Sequence, residues 1–361
     1  MTAPEIIGLG SGDRLRDALQ TQTIISVDTE FMRERTYFSQ LCLVQISAGE
    51  TILCLDPLGD DTSDEEQMWS MLLDIPWVLH SGRQDIEVIY QTTDVMPTSV
   101  WDTQIAAALL GYPPQIGYGN LVAELFDVQL AKSHTRADWS RRPLTEGLLQ
   151  YAAEDVLYLL PAADKLMARL DALGRGDWAR EDSAAMLNPA LYDVDPANAI
   201  GRLKGARNVR GSARNIAVRL AAWRENEALK RNRPRQWIVK DTVLLDIAHN
   251  KPKTLSELQR IEGLAERTAQ RASTDILAAV SKGETDRDDY RPPDRPDETQ
   301  RALLKTMKKC VDDVASDLNI AAEVIAPKKD LSAAINGERE NRLFSGWRNE
   351  VIGEALLKLI P

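Results

Sequence analysis

The sequence predicts an α/β domain built on a mixed sheet, followed by two all-α domains. Three observations lead there. Residues 22–56 hold apolar, β-branched runs joined by a tight hairpin signal; a helix, a strand and a helix follow over residues 64–91; and beyond residue 207 the apolar positions recur at helical spacing. A meander that gives way to alternating helix and strand describes a mixed sheet flanked by helices.

The strands are expected at Thr23–Val27, Leu41–Ser47 and Thr51–Leu55, the last two joined by Ala48-Gly49-Glu50. A helix is expected near Asp64–Leu73, a strand at Trp77–Leu79 and a helix at Gln84–Gln91. Gly111 to Gly119, with Pro113, Pro114 and Gly117, reads as a loop, and Thr145 to Leu173 as one long helix. Asn188 to Ala199 holds two prolines among turn formers and marks a first linker. Residues 207–281 are helical, with apolar positions at Ile216, Val218, Leu220 and Leu229, then Val243, Leu244 and Ile247. Gly283 to Glu298, dense in Asp, Arg and Pro, is a second linker, and the rest is again helical. At 361 residues a single core is not expected, and the boundaries divide the chain into 1–190, 205–283 and 298–361.

Hydrophobic content of 43% and charged content of 27% are ordinary for a globular protein. No apolar stretch reaches the length of a membrane span, and Met1-Thr2-Ala3-Pro4-Glu5 opens no secretory signal. Cys42, Cys54 and Cys310 are few and lie mostly in apolar runs, which points to free thiols in a reducing cytoplasm. The net charge of −11 averages two opposite halves. Residues 1–200 carry 13 Lys+Arg against 31 Asp+Glu, whereas residues 201–361 carry 31 against 24. Within 201–240, twelve basic residues face only Glu225 and Glu227. A polyanion would find its foothold there, with Arg207, Arg210 and Arg214 the candidate contacts.

The acidic half carries the chemistry. Asp28 and Glu30, in Val27-Asp28-Thr29-Glu30-Phe31, are two apart at a strand end, so both leave one face. Asp85 follows a strand that turns through Gly82 into a helix, while Tyr151 and Asp155, four apart, stack on one helix face. Two acids from a strand, one from a turn and one from a helix beside a tyrosine suit a cage for two divalent metals. Hard cations such as Mg2+ or Mn2+ take oxygen ligands. Two of them would make a hydroxide and stabilise both apical oxygens of a phosphodiester displacement. Asp56, before Pro57, reads instead as a turn residue, and Asp102 as the cap of a helix from Thr103. Glu154 points off the Tyr151 face, and His80 reads as a strand-end histidine.

These blocks, in order, resemble the DEDD superfamily of 3′-to-5′ exonucleases, in its tyrosine branch, and most closely the ribonuclease D family. The resemblance rests on residues 27–41, on Trp101-Asp102-Thr103-Gln104, on Asp138-Trp139-Ser140-Arg141-Arg142-Pro143-Leu144 and on the Tyr151 block; it runs over nearly the whole chain and is weakest in the last seventy residues. Leu220-Ala221-Ala222-Trp223-Arg224, Arg233-Pro234 and Leu255–Gly263 resemble the helicase-and-ribonuclease-D C-terminal (HRDC) domain, and 298–361 looks like a second, diverged copy. The resemblance implies a ribonuclease H-like fold and a metal-dependent exoribonuclease that trims single-stranded 3′ ends of RNA, precursors of transfer RNA among them. It implies nucleoside 5′-monophosphate products and a monomer. Asp28 would bridge the metals, Glu30, Asp85 and Asp155 would complete the sites, and Tyr151 would orient the attacking water. Phe31 and Met32 are then placed to contact the terminal bases, unless both are core residues at a strand end. Gln45 is placed to reach the terminal ribose, unless its amide turns to backbone. His134 lies on a polar segment suited to a phosphate contact.

Two other functions compete. A deoxyribonuclease of the same superfamily would use the same acids, and the HRDC resemblance tilts against it. A catalytically silent RNA-binding scaffold would have no need to keep all four acids and the tyrosine.

Overall fold

The computed structural model describes residues 4–131, 137–286, 290 and 296–360. The first strand, β1 (Glu5–Gly8), is followed by α1 (Gly12–Leu19), then β2 (Ile25–Met32), β3 (Gln40–Ala48) and β4 (Thr51–Asp56). After these come α2 (Glu65–Asp74), β5 (Trp77–Leu79), α3 (Arg83–Thr93), β6 (Val100–Asp102), α4 (Thr103–Leu109) and α5 (Tyr118–Phe126). Three helices close this region: α6 (Glu146–Leu157), α7 (Leu159–Ala172) and α8 (Gly176–Ala184).

The sheet order is β1-β4-β3-β2-β5-β6, with β3 antiparallel to β4 and the β1–β4, β2–β5 and β5–β6 pairs parallel. It is the mixed, helix-flanked sheet that the sequence predicts, enlarged by two strands. Both additions are only three or four residues long, too short for alternation to show. β2 runs to Met32, well past Val27, so the paired acids sit within its second half. The expected helix Thr145–Leu173 is two helices, broken at Tyr158. Cys42 and Cys54 are buried free thiols, and Cys310 is a half-buried one.

The second half is helical: α9 (Gly211–Arg231), α10 (Arg235–Ile238), α11 (Asp241–Asn250), α12 (Leu255–Gln259) and α13 (Glu266–Thr285). Then follow α14 (Glu298–Leu318), α15 (Ala322–Ile325), α16 (Lys328–Ile335), α17 (Gly346–Arg348), a π-helical turn at Asn349–Gly353 and α18 (Glu354–Leu359). The two helical stretches share a plan. α9 and α14 each span 21 residues, each ends at a left-handed asparagine (Asn232, Asn319), and each leads into a four-residue helix.

The chain forms two compact units. One comprises Met1–Met32, Leu41–Tyr192 and Pro296–Pro361; the other comprises Arg33–Gln40 and Asp193–Arg295. In the first unit the last helices share a core with the sheet-flanking ones: Leu166, Leu170 and Ala179 belong with Met307, Val311 and Trp347. Trp347 stacks on Trp178 with ring centroids 4.5 Å apart, and Arg348, only 3% exposed, pairs with Asp182. Arg175 donates to the end carbonyls of two helices, Leu109 O and Leu318 O, each at 2.8 Å.

The second unit has its own core around Ile216, Leu220, Leu244, Ile247 and Ile276. It also holds the chain segment between β2 and β3. The Tyr37 hydroxyl donates to Glu225, Arg235 pairs with Glu225, and Asn232 Oδ1 accepts from the backbone N–H of Tyr37 at 2.9 Å and of Phe38 at 3.0 Å.

Candidate active site

Period-two alternation places Ser26, Asp28 and Glu30 on one face of β2. Ser26 pairs with Val78 on β5, and Val78 shares a core with Leu159 and Leu166, so this is the face that α6 and α7 cover. Across it, α6 presents Tyr151 and Asp155. Carboxylate oxygens of Asp28, Glu30 and Asp155 all come within 4.8 Å of one another.

Asp85 arrives from the first turn of α3 and is tied to the strand between the two acids. Its Oδ1 accepts from Thr29 N at 3.1 Å and from Thr29 Oγ1 at 2.5 Å. The turn that aims α3 needs a glycine, because a Cβ on Gly82 would lie 2.7 Å from Leu79 Cβ. Asp102, 1% exposed, holds this turn. Its Oδ2 accepts from Gly82 N at 2.8 Å and its Oδ1 caps α4 through Gln104 N and Ile105 N, while its own N–H donates to Ser183 Oγ on α8. The cap is legible in the sequence; the tie to Gly82, twenty residues away, is not.

Asp85 stands outside that 4.8 Å group but near enough for its charge to be felt there, and the four acids oppose one another's ionisation. Burial, then the charges of Asp155 and Asp85, push Glu30 up to about 8. Burial and the other three acids hold Asp28 well above the carboxylate range. Burial moves Asp85 to about 6 against the opposing Thr29 hydrogen bonds, and burial with the charge of Glu154 moves Asp155 to about 7. Among the described residues no ion pair involves any of the four. A cluster of hard oxygen donors with uncompensated negative charge fits a divalent cation. Burial and the neighbouring acids also raise the Tyr151 hydroxyl far above its usual range, so at neutral pH it is a neutral hydrogen-bond donor.

Tyr118 is a site neighbour that sequence reasoning missed. Its hydroxyl donates to Glu154 O at 3.1 Å and accepts from Tyr158 N at 3.0 Å, bridging the break just past Asp155. Its position inside an expected loop carried no signal. His80 is satisfied by Thr103 Oγ1 and Ile116 O at 2.8 and 2.9 Å, a strand-end histidine as read. Asp56 is more than a turn residue: Arg142 grips both its oxygens at 2.6 Å and donates to Cys42 O, anchoring the 138–144 stretch to the sheet.

The expected substrate contacts are placed unevenly. Phe31 is one residue out of phase with Glu30 and packs on the opposite face, against the core of Ile25, Val27 and Val44. Gln45 lies on the acid face but is 0% exposed, so its amide is closed to a ribose. Met32 does lie on the acid face, packed with Tyr151 around Trp139 and Leu144. Arg207 and Arg210 are exposed and Arg214 is half-buried. Arg224 is 2% exposed and paired with Asp241 at 2.7 Å, so part of the basic excess is internal. His134 lies outside the described residues.

Residues 13–171 match a family model described as a 3′-5′ exonuclease, and residues 213–280 match the HRDC domain. With the sheet and the acid cluster, this defines a hydrolytic 3′-to-5′ exonuclease of ribonuclease H-like fold with an HRDC domain. A ribonuclease D of Jannaschia sp. is 36% identical over 94% of this chain and 90% of its own, and one of Sphingobium indicum is 37% identical over 93% and 89%. The crystal structure of Escherichia coli RNase D, an exoribonuclease involved in structured RNA processing, has a TM-score of 0.86 at 32% identity, covering 98% of each chain. The chain belongs to the ribonuclease D family and is an exoribonuclease. Among the described residues, no helix is long and apolar enough to cross a membrane.

Proposed function

We propose that this enzyme trims single-stranded 3′ ends of structured RNA precursors, those of transfer RNA foremost, and releases nucleoside 5′-monophosphates. The observation that carries the reading is the convergence of Asp28, Glu30 and Asp155 oxygens beside Tyr151. Two bound ions, Mg2+ or Mn2+, would supply a water acidic enough to attack at neutral pH and charge to offset the leaving oxygen. Asp28, Glu30 and Asp155 would hold them together with Asp85, one of whose oxygens Thr29 already orients. Tyr151 donates a hydrogen bond that fixes the attacking water, and Met32 meets the terminal base. Arg207, Arg210 and Arg214 contact the RNA backbone upstream.

The shared plan of α9–α10 and α14–α15 supports reading 298–361 as a diverged second copy of the HRDC helices at 205–283. The enzyme acts as a cytoplasmic monomer, with 1–190 as the catalytic stretch. RNA labelled at its 5′ end and carrying an extended 3′ tail tests the activity. With Mg2+ the label should step down nucleotide by nucleotide as 5′-monophosphates appear. Asp28→Asn should leave the tail intact, and in chelator should match or exceed the thermal stability of the wild type. Shortening from the 5′ end, or full turnover by Asp28→Asn, would refute the assignment.

A further inference from the structure

Trp237 is 59% exposed, more than any other large hydrophobic side chain among the described residues. An indole normally lies buried with its N–H paired. The short helix α10 that carries it is nevertheless fixed on every other side. Pro234 precedes it with its φ set, Arg235 is locked to Glu225 and Tyr37, and Ile238 is buried in the core. Gln236 Oε1 accepts from Asp241 N, and Arg224 Nη1 donates to Val239 O at 2.9 Å. One aromatic ring is thus held rigidly outward on a turn whose other side chains are all engaged.

The exposed Arg233 lies over the ring, its guanidinium carbon 6.0 Å from the centroid, and it has no acidic partner among the described residues. A flat aromatic face with an adjacent unpaired cation matches one unit of a single strand, a base to stack and a phosphate to neutralise. The second helical stretch supplies an internal contrast. Its corresponding four-residue helix has Val324 at the third position, half-buried against the core, with its carbonyl taken by Arg348. That copy lacks a stacking surface.

We propose that Trp237 and Arg233 form a binding site for one unpaired nucleotide of the RNA substrate, with the indole stacking on the base and the guanidinium holding its phosphate. The proposal rests on the exoribonuclease reading for the identity of the strand. Stacking is indifferent to base identity, so the site would grip any sequence, and it lies on the HRDC helices, apart in the chain from the metal cage.

The full chain in chelator, where hydrolysis stops, is titrated with a fluorescent single-stranded RNA of about twenty nucleotides. Trp237→Ala should weaken binding about 5- to 100-fold with little change in salt dependence, and Trp237→Phe should restore most of the loss. Arg233→Ala should flatten the salt slope by roughly 0.7, the share of one phosphate. Hydrolysis of a dinucleotide, too short to span beyond the cage, should be unchanged in both variants. Equal affinity of Trp237→Ala and wild type would overturn the proposal. Failure of the wild type to degrade RNA would instead overturn the activity proposed above while leaving the binding comparison readable.

Discussion

Replacing Glu30 by Gln should stabilise the protein in chelator, and the gain should grow with pH. The carboxyl of Glu30 is pushed from an ordinary 4.5 to about 8 in the folded protein. A raised folded-state value means that the carboxyl contributes stability that is fully present below about pH 4.5 and lost as the pH climbs through 8. At about 1.4 kcal/mol per pH unit, the loss by pH 7 is about 3 kcal/mol before screening; the half-buried carboxylate reduces this to about 2. For a unit of this size that is roughly 4–8 °C in Tm. Thermal unfolding of wild type and Glu30→Gln in EDTA should coincide near pH 4.5 and separate by that amount at pH 7, with the variant higher. Added Mg2+ should reverse the order, because it binds the folded wild type and meets one ligand fewer in the variant. A gap that stays constant from pH 4.5 to 8, or a wild type that is the more stable at pH 7 in EDTA, would refute the repulsion argument.

Tyr151→Phe should slow turnover roughly 10²- to 10⁴-fold with RNA affinity nearly unchanged, as single-turnover kinetics and equilibrium binding would separate. Reversing the charges of Arg207, Arg210 and Arg214 should raise the concentration of long RNA needed for half-maximal rate and flatten its salt dependence. Turnover at saturation should change much less, and an unaltered salt slope would make these arginines ordinary surface charge. Asp102→Ala should cost about 2–4 kcal/mol by denaturant unfolding, since it uncaps α4 and leaves the buried Gly82 N–H unpaired. It should also lower kcat through the loosened turn ahead of Asp85; unchanged stability and kcat would remove Asp102 from the site's support.

The acid cluster is legible in the sequence because its side chains sit on regular elements whose period fixes their direction. Asp28 and Glu30 obey the period of a strand, and Tyr151 and Asp155 that of a helix. The same period, applied one residue further, turns Phe31 away from the cage, so proximity along the chain misleads where alternation does not. Gln45 shows another limit: strand and face are readable, but closure of the space above the side chain depends on what packs over it. The charge of 201–240 is legible as a count, yet the burial of Arg224 against Asp241 is a long-range pairing that composition cannot express. Tyr118 bridges two helices from a segment forty residues upstream of Tyr158, and nothing local marks it.

Because the first unit takes its last helices from 296–361, its core is interrupted along the chain by a whole helical unit. Ribosomal synthesis proceeds from the N-terminus, so the intervening helices, with their own core, emerge before Trp347 can stack on Trp178 or Arg348 can reach Asp182. Until then α7 and α8 keep an apolar face open to solvent, and α8 is the helix whose Ser183 receives the Asp102 N–H. The nuclease is therefore completed only by residues translated after the HRDC helices, and a chain cut short at their end would carry all four acids on an unfinished scaffold.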